Sequence, residues 1–300
     1  MRKLFDFADT EKYEHIIQST WVEFRNSLAN KEFTYDNIPL ALTTRFLRVF
    51  DDLFQHGFRF FEKSICSVLN SDINIVRAAR INSGDPFPNY DRFIPDAKYI
   101  TKSNRFSPPG IEWLYLAFAA NAKADGLHLE EKCALKECRA NAGEIFALCR
   151  FTPADAYKDL KIIDLTIAKE TEFDVINSEL EKYGQEIYRR EFNKMYMDGI
   201  QKGALSKPHM DDIIPAIEKW AVYTYARLLS EQIFLPLTTE DRDIMYAPFQ
   251  CMAQYFLGKG YNGIVYSSTV FPDGKNIVLF DKSAALPFGS IKKVQVPKDL

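Results

Sequence analysis

The sequence has 300 residues, enough for one large domain or two small ones with a sizeable hydrophobic core. Hydrophobic residues make up 47% and charged residues 26%, as in ordinary globular proteins, which excludes collagen-like, low-complexity and disordered classes. The 38 basic and 41 acidic side chains give a net charge of −3. This balance argues against a basic nucleic-acid-binding protein, and we expect no direct nucleic-acid partner.

The cysteines and the first residues of the chain indicate in which cellular compartment the protein is located. The five cysteines are odd in number and scattered, which argues against a secreted disulfide framework. Acidic residues lie near the start, no apolar signal-peptide core follows, and no apolar run reaches the roughly 18 residues of a membrane span. We therefore expect a cytoplasmic protein that does not cross a membrane.

Residues 1–70 are predicted to form a helical N-terminal region. Apolar side chains recur there at three- and four-residue steps, the pattern of an amphipathic helix; they are Phe46, Phe50, Leu53, Phe54, Phe58 and Phe61. We expect this stripe to pack in a core. The alternative is a self-association face, which would make the protein a homo-oligomer.

Residues 71–165 have a mixed pattern. The segment 73–81 is predicted to be a strand, and a Pro-Pro-Gly turn then leads into a second apolar segment. A helix is predicted over 130–143, ending at Gly143. Further strands are predicted at 144–151 and 161–165.

Residues 166–240 return to long, charged helical patterns and are predicted to form a helical insertion. After it we predict a helix, a glycine turn and a strand, and then a hairpin that turns at Asp273-Gly274. The predicted fold class is α+β. In it, 71–165 and 241–297 form one split domain with a mixed β core, accompanied by the helical N-terminal region and the helical insertion.

Several common catalytic motifs are absent from the sequence. It contains no GxxxxGK[ST] phosphate loop, no GxGxxG nucleotide loop and no HExxH metal motif. The four histidines have no serine or cysteine nucleophile pattern nearby, so a Ser-His-Asp hydrolase has no support. We expect a site without a metal ion and without histidine.

Four short blocks instead combine polar side chains with apolar flanks. They read INIVRAARIN, NRFSPPGIEWLYLA, CALKECR and GYNGIVYSSTVFPDGKNIVLFD, with the polar members Arg77, Arg80, Arg105, Tyr115, Glu137, Tyr266, Ser268 and Asn276. In this order the blocks resemble the RES domain family, which is named for its Arg, Glu and Ser residues. The resemblance covers 75–165 and 245–285, and the last block is its most specific part.

The resemblance implies a fold similar to that of the ADP-ribosyltransferase toxins and an enzyme that splits nicotinamide from NAD⁺. It implies a toxin that depletes NAD⁺ as a glycohydrolase or phosphorylase, held in check by an antitoxin protein. The acceptor of the ADP-ribose stays open between water, phosphate and a protein. A protein ADP-ribosyltransferase is therefore an alternative.

The residue types suit this chemistry. Cleavage of the nicotinamide–ribose bond develops positive charge on the ribose, which the carboxylate of Glu137 would stabilise. Arginines would bind the diphosphate, and Arg77, Arg80 and Arg105 are the candidates. Only one of Arg77 and Arg80 can take the family's first arginine position, and we assign Arg77.

The remaining candidates would position the substrate. Tyr115 or Tyr266 would stack on nicotinamide, and Ser268 would hydrogen-bond a ribose hydroxyl or the amide. Asn276 is expected to support the site from a turn or the start of a strand. The catalytic candidates are thus Glu137, Arg77 and Ser268, and the other five would bind NAD⁺.

A second class of function remains open. The helical N-terminal region and the helical insertion would also suit a non-catalytic interaction protein that binds a partner through its helices. Without the resemblance, Glu137 would be a solvated helix residue and Tyr115 a core residue.

Overall fold

The computed structural model describes residues 10–57, 61–70, 73–124, 126–167, 221–229 and 242–298, with isolated positions at 178, 182, 185, 186, 189, 231 and 300. It shows an α+β protein built on one eight-stranded mixed sheet, which confirms the predicted class. Most of the predicted helical insertion lies outside the described residues. Its longest described stretch, 221–229, is helical.

Ten strands are present in the described part of the chain. They are β1 (Glu62–Ser64), β2 (Ile75–Arg80), β3 (Leu114–Ala119), β4 (Lys123–Ala124), β5 (Leu127–His128), β6 (Ile145–Pro153), β7 (Lys161–Asp164), β8 (Gly263–Ser267), β9 (Gly274–Leu279) and β10 (Ala285–Gln295). The main sheet has the order β1-β7-β8-β9-β3-β2-β6-β10, and β4 pairs with β5 separately. Only β7 and β8 pair in parallel among these strands.

The order of the strands shows how distant segments build the sheet. The late strands β8 and β9 lie between β7 and β3, so 71–165 and 241–297 share one sheet. The predicted boundary at residue 70 falls after β1, which already pairs with β7. The N-terminal region therefore contributes an edge strand as well as helices.

Six helices are described with both of their ends. They are α1 (Thr10–Ala29), α2 (Ile38–Ala41), α3 (Arg45–Gly57), α4 (Ile65–Val68), α5 (Leu129–Glu137) and α6 (Arg242–Gly258). Short helices begin at polar caps: Asn37 accepts from the Leu40 amide before α2, and Ser64 forms a capping box with Ser67 before α4. Every helix of the described residues is too short or too polar to span a bilayer.

The first, third and sixth helices pack through an aromatic cluster on one face of the sheet. We define it as Trp21, Phe24, Phe46, Phe50, Phe54, Phe249, Tyr255 and Phe256, all buried. The ring pairs include edge-on contacts, such as Trp21 and Phe46 with centroids 5.0 Å apart, and stacked contacts, such as Phe46 and Phe50 at 6.2 Å. The predicted stripe of α3 thus packs inside the chain, while Phe58 lies outside the described residues.

The fifth helix lies on the same face, above β2, β3 and β9. Its apolar residues Cys133, Ala134 and Leu135 pack with Val76 and Ala117 of the sheet. A separate hydrophobic cluster fills the opposite face and includes Ile75, Leu116 and Ile277. Alternation along the strands therefore sends neighbouring residues into different clusters.

The fifth helix ends earlier than the sequence predicts, at Glu137 rather than Gly143. Arg139 adopts a left-handed backbone conformation with φ of 52°. Its amide donates to the Lys136 carbonyl, and the Ala140 amide donates to the Leu135 carbonyl, which together form a Schellman cap. The end was missed because glycine usually occupies this left-handed position.

The predicted hairpin turns as expected but pairs different strands. Asp273-Gly274 closes the connection, and the Gly274 amide donates to the Phe271 carbonyl. The strand that pairs with β9 is β8, since Tyr266 lies opposite Asn276. Residues 268–273 therefore form a loop rather than the first arm of the hairpin.

Candidate active site

Three segments far apart in sequence meet at the last residue of α5. One carboxylate oxygen of Glu137, Oε1, accepts a hydrogen bond from Ser268 Oγ at 2.7 Å and another from Asn276 Nδ2 at 2.5 Å. Its other oxygen, Oε2, has no hydrogen-bond partner among the described residues, and the side chain is exposed. Two donors therefore hold one carboxylate oxygen, and the other oxygen is available to a ligand.

The position of Glu137 is unfavourable for helix stability. The last turn of a helix carries unpaired carbonyls and a partial negative charge, which favours a basic side chain there. Two hydrogen bonds to a charged oxygen offset this cost, at about 1.5–3 kcal/mol each. A carboxylate that two specific donors hold at an unfavourable helix end is typical of a functional site.

Ser268 is fixed by the loop that follows β8. Its amide donates to the Gly274 carbonyl at 2.8 Å, which closes the loop. Its hydroxyl oxygen accepts from the amides of Val270 at 3.3 Å and Phe271 at 3.0 Å. With both of these acceptor contacts made, the hydroxyl proton is directed to Glu137.

Asn276 is fixed by its place in the sheet. It is buried within β9, opposite Tyr266 of β8 on one side and Ala117 of β3 on the other. The small Ala117 leaves room above the sheet for the amide to reach α5. Asn276 thus lies inside a strand rather than at a turn, and it contacts the proposed catalytic carboxylate directly.

A close approach of α5 to β9 makes these contacts possible. A Cβ on Gly274 would lie 2.4 Å from Cys133 Sγ and 2.9 Å from a ring carbon of Phe271. Only glycine leaves this space, which lets the helix lie against the start of the strand.

Arg77 lies where the sheet divides. Beyond the pairs Ile75–Phe118 and Val76–Ala117, β2 pairs only with β6, and no ladder joins it to β3. The Arg77 guanidinium donates through Nη1 to the Phe93 carbonyl at 2.9 Å. Burial lowers the pKa of Arg77 to about 10, so the group remains charged at neutral pH.

Arg80, at the far end of the same strand, is placed differently. Its guanidinium forms an ion pair with Glu144 at 2.8 Å and lies over the Phe146 ring. Both side chains of this ion pair are partly or largely exposed to solvent. The structure does not bring Arg80 into contact with Glu137, Ser268 or Asn276.

Tyr266 lies near the Glu137 carboxylate, and Tyr115 lies on the same face of the sheet. Burial raises the pKa of Tyr266 well above its ordinary value, and the negative charge of Glu137 adds to this effect. Burial raises the pKa of Tyr115 as well, and its hydroxyl is 2.9 Å from Ser107 Oγ. The charge of Arg105 acts against both increases, which places its guanidinium near the two phenols.

The rings of these two tyrosines differ in how much of their surface is exposed. Tyr266 packs edge-on against Phe106 with centroids 5.0 Å apart, and the ring is buried. Tyr115 is half-buried at the margin of the helix-packed core. Of the two, Tyr115 has more surface available for a planar ligand.

The sequence did not identify three further residues near the site. Burial raises the pKa of the Cys133 thiol to about 12, helped by the charge of Glu137. Ser107 is fully buried and bonds Tyr115, although the block RFSPPG already contained it. Arg92 lies close enough to Arg77 to lower its pKa, and no motif marked it.

A separate groove lies on the opposite face of the sheet. It encloses 410 Å³ and is lined by residues that include Cys66, Leu69, Ile75, Phe151 and Phe288. None of the eight predicted site residues lines it. The groove is therefore distinct from the cluster around Glu137.

All five cysteines are free thiols, and no group of three or more His, Cys, Asp or Glu side chains within the described residues could hold a metal ion. The chain was compared with protein-family models, with curated proteins and with solved structures. None of them matches it.

Proposed function

We propose that the protein is a RES-type enzyme that cleaves NAD⁺ at the nicotinamide–ribose bond, on a fold related to the ADP-ribosyltransferases. The observation that carries the proposal is the Glu137 carboxylate, with Oε1 held by Ser268 and Asn276 and Oε2 without a described partner. These are the Glu and Ser expected from the resemblance, and they meet although 131 positions separate them.

The proposed cleavage needs a carboxylate more than it needs an acid. The bond between the ribose C1′ and the nicotinamide nitrogen breaks, and its electron pair stays on nitrogen, so nicotinamide leaves as a neutral molecule. Positive charge develops on C1′ and the ring oxygen of the ribose. Oε2 of Glu137 would stabilise this charge and accept a hydrogen bond from a ribose hydroxyl.

Ser268 and Asn276 act in this proposal through Glu137. Both donate to the same carboxylate oxygen, so they hold the carboxyl plane and leave the second oxygen for the substrate. Prior fixation of the carboxylate avoids its reorganisation during the reaction. They are positioning residues, whereas Glu137 is the catalytic residue.

The other candidates would bind the two ends of the dinucleotide. Tyr115 offers a half-buried ring for nicotinamide, and Arg77 supplies a desolvated positive charge. The charge of Arg105 acts on both tyrosines, and its guanidinium would also bind the substrate. Attack of water on C1′ would complete hydrolysis and release a proton; attack of phosphate would make the enzyme a phosphorylase.

The proposal extends to a toxin that depletes NAD⁺ and is neutralised by an antitoxin protein. In that case the helices packed on the sheet serve the enzyme's own stability. The alternative, an interaction protein without catalysis, would give no reason for a carboxylate fixed at a helix C-terminus by two buried donors.

The test is nicotinamide release from NAD⁺ by the purified protein beside Glu137→Gln. Glutamine keeps an acceptor oxygen for Ser268 and Asn276 but removes the charge. We expect the rate to fall by about 100-fold or more, as for loss of one preorganised electrostatic group. The matched control is Glu231→Gln, which removes an exposed carboxylate that pairs with Arg227.

Two results would count against the proposal. Equal rates for the protein and Glu137→Gln would remove Glu137 from the chemistry. A protein that neither releases nicotinamide nor gains thermal stability from NAD⁺ would favour the interaction protein, because binding to the folded state must raise the melting temperature.

A further inference from the structure

Arg77 lies where β2 and β3 separate, and its guanidinium bonds the backbone of the residue that follows a second arginine, Arg92. Arg77 donates to the carbonyl of Phe93 at 2.9 Å. Arg92 directly precedes Phe93 in the short 3-10 turn Tyr90–Phe93. The hydrogen bond therefore connects the half-buried strand arginine to the turn that carries the second, exposed arginine.

This turn has a fixed position. Phe93 is fully buried in the cluster on the far face of the sheet. The Tyr90 hydroxyl donates to the Gly289 carbonyl of β10, and Lys282 Nζ donates to the Pro95 carbonyl at 3.4 Å. The backbone of Arg92 is thus anchored on both sides.

Neither arginine has a carboxylate partner among the described residues. The nearest acid in sequence, Asp91, accepts from Asn89 Nδ2 at 3.0 Å. Burial lowers the pKa of Arg77, and the positive charge of Arg92 lowers it further, so the two guanidinium groups repel each other. A bound anion would neutralise both charges.

We propose that Arg77 and Arg92 together bind a diphosphate group, and that Arg92 rather than Arg80 is the second cation of the substrate site. The inference rests on the proposed function insofar as the diphosphate is that of NAD⁺. A diphosphate has two phosphates joined by one oxygen, and each can take a guanidinium in a bidentate contact. Arg80 already pairs with Glu144.

The test is the affinity of the full chain for ADP, for inorganic diphosphate and for nicotinamide, measured by calorimetry with the protein and with Arg92→Gln. We expect the variant to bind ADP and diphosphate about 10- to 100-fold more weakly, the effect of losing one charged hydrogen-bonding group, and to bind nicotinamide unchanged. Arg227→Gln is the matched control, since it removes one exposed guanidinium that pairs with Glu231.

A kinetic measurement separates this inference from the proposed function. For NAD⁺ cleavage, Arg92→Gln should raise KM and leave kcat nearly unchanged. If the protein cleaves NAD⁺ but Arg92→Gln binds ADP as tightly as the unchanged protein, the inference is overturned while the proposed function stands. The same holds if Arg80→Gln, rather than Arg92→Gln, weakens the binding of ADP. If the protein binds ADP through Arg92 but cleaves no NAD⁺, the diphosphate site stands and the proposed function fails. Failure of the unchanged protein to bind either diphosphate compound also overturns the inference.

Discussion

The aromatic cluster and the group around Glu137 lie on the same face of one sheet, yet they differ in what their residues do. In the aromatic cluster, rings such as Trp21, Phe46 and Phe50 are buried against one another. In the group around Glu137, a carboxylate lies at the end of a helix where the helix dipole disfavours it. Arg77, where the sheet divides, is desolvated and has no carboxylate partner among the described residues. The first arrangement favours stability, whereas the second sacrifices stability for a defined geometry.

A chain of ring contacts joins the two regions. Trp21 of α1 packs on Phe249 of α6 with centroids 5.7 Å apart, Phe249 packs on Phe106 at 6.5 Å, and Phe106 packs on Tyr266 at 5.0 Å. Tyr266 lies opposite Asn276 in the sheet. The N-terminal helices therefore support the back of the candidate active site.

The comparison predicts the largest loss of stability in the aromatic cluster. Trp21→Ala removes a side chain that is 1% exposed, and we expect it to lower the free energy of unfolding by about 3–5 kcal/mol. Urea unfolding followed by circular dichroism measures the change. A loss below about 1 kcal/mol would mean that the cluster collapses around the cavity and contributes less than its burial indicates.

The close contact between α5 and β9 predicts the next effect. Gly274→Ala places a Cβ at 2.4 Å from Cys133 Sγ and should destabilise the protein by about 1–3 kcal/mol through overpacking. Adding Cys133→Ala should recover part of the loss, because it removes the sulfur atom. Gly258→Ala is the control, since its Cβ would meet no atom within 4 Å. Additive losses in the double variant would show that the two positions do not contact each other.

The two adjacent serines after β8 allow a matched comparison at the site. Ser268→Ala removes a donor to Glu137 and an acceptor for two loop amides. We expect NAD⁺ cleavage to fall roughly 10- to 100-fold through misplacement of the carboxylate. Ser267→Ala, which changes a buried serine without a described side-chain hydrogen bond, should retain most of the activity. Similar losses from both changes would point to the loop as a whole rather than to the Ser268 hydroxyl.

The smallest predicted effect concerns acid stability in the helical region. Burial alone would raise the pKa of Asp51, but hydrogen bonds from Lys259, Tyr255 and Gln55 outweigh burial and lower it. A lowered pKa in the folded state stabilises the protein above the ordinary value of 3.8, and this contribution is lost as the pH falls through the folded-state pKa.

Asp51→Asn should therefore cost about 1 kcal/mol or less at pH 7, and the difference should shrink below about pH 4. Thermal unfolding from pH 3 to pH 7 measures it, with the exposed Asp159→Asn as the control. A difference between Asp51→Asn and the unchanged protein that stays constant over this range would show that the carboxylate charge plays no part.

Much of the fold could be predicted from the sequence because its signals are local. The Phe46 and Phe50 stripe and the strand around Ile75 follow from periodicity alone. The edge strand Glu62–Ser64 could not be predicted, because three polar and partly exposed residues carry no alternating pattern. The end of α5 was missed because Arg139 takes a conformation that glycine usually provides.

The candidate site was less accessible to sequence reasoning. Nothing local indicates that Ser268 and Asn276 reach Glu137, since the contact depends on the order of strands and on the register of β9. Only the family resemblance points to these residues, because their own sequence pattern does not distinguish them. No sequence motif or periodicity points to Arg92, because it lies in a turn whose position is set by the tertiary contacts of Phe93 and Tyr90.

The pairing of β1 with β7 has a consequence for how the chain folds during synthesis. The partner of Glu62 is Ile163, so the first strand of the sheet must wait for about a hundred further residues before it can pair. The next neighbour, β8, comes still later, and it is followed by Ser268 and Asn276. We therefore expect nascent chains that stop before residue 263 to lack both the centre of the sheet and the partners of Glu137. The carboxylate would emerge from the ribosome before Ser268 and Asn276 and would acquire its fixed geometry only after both have been synthesised.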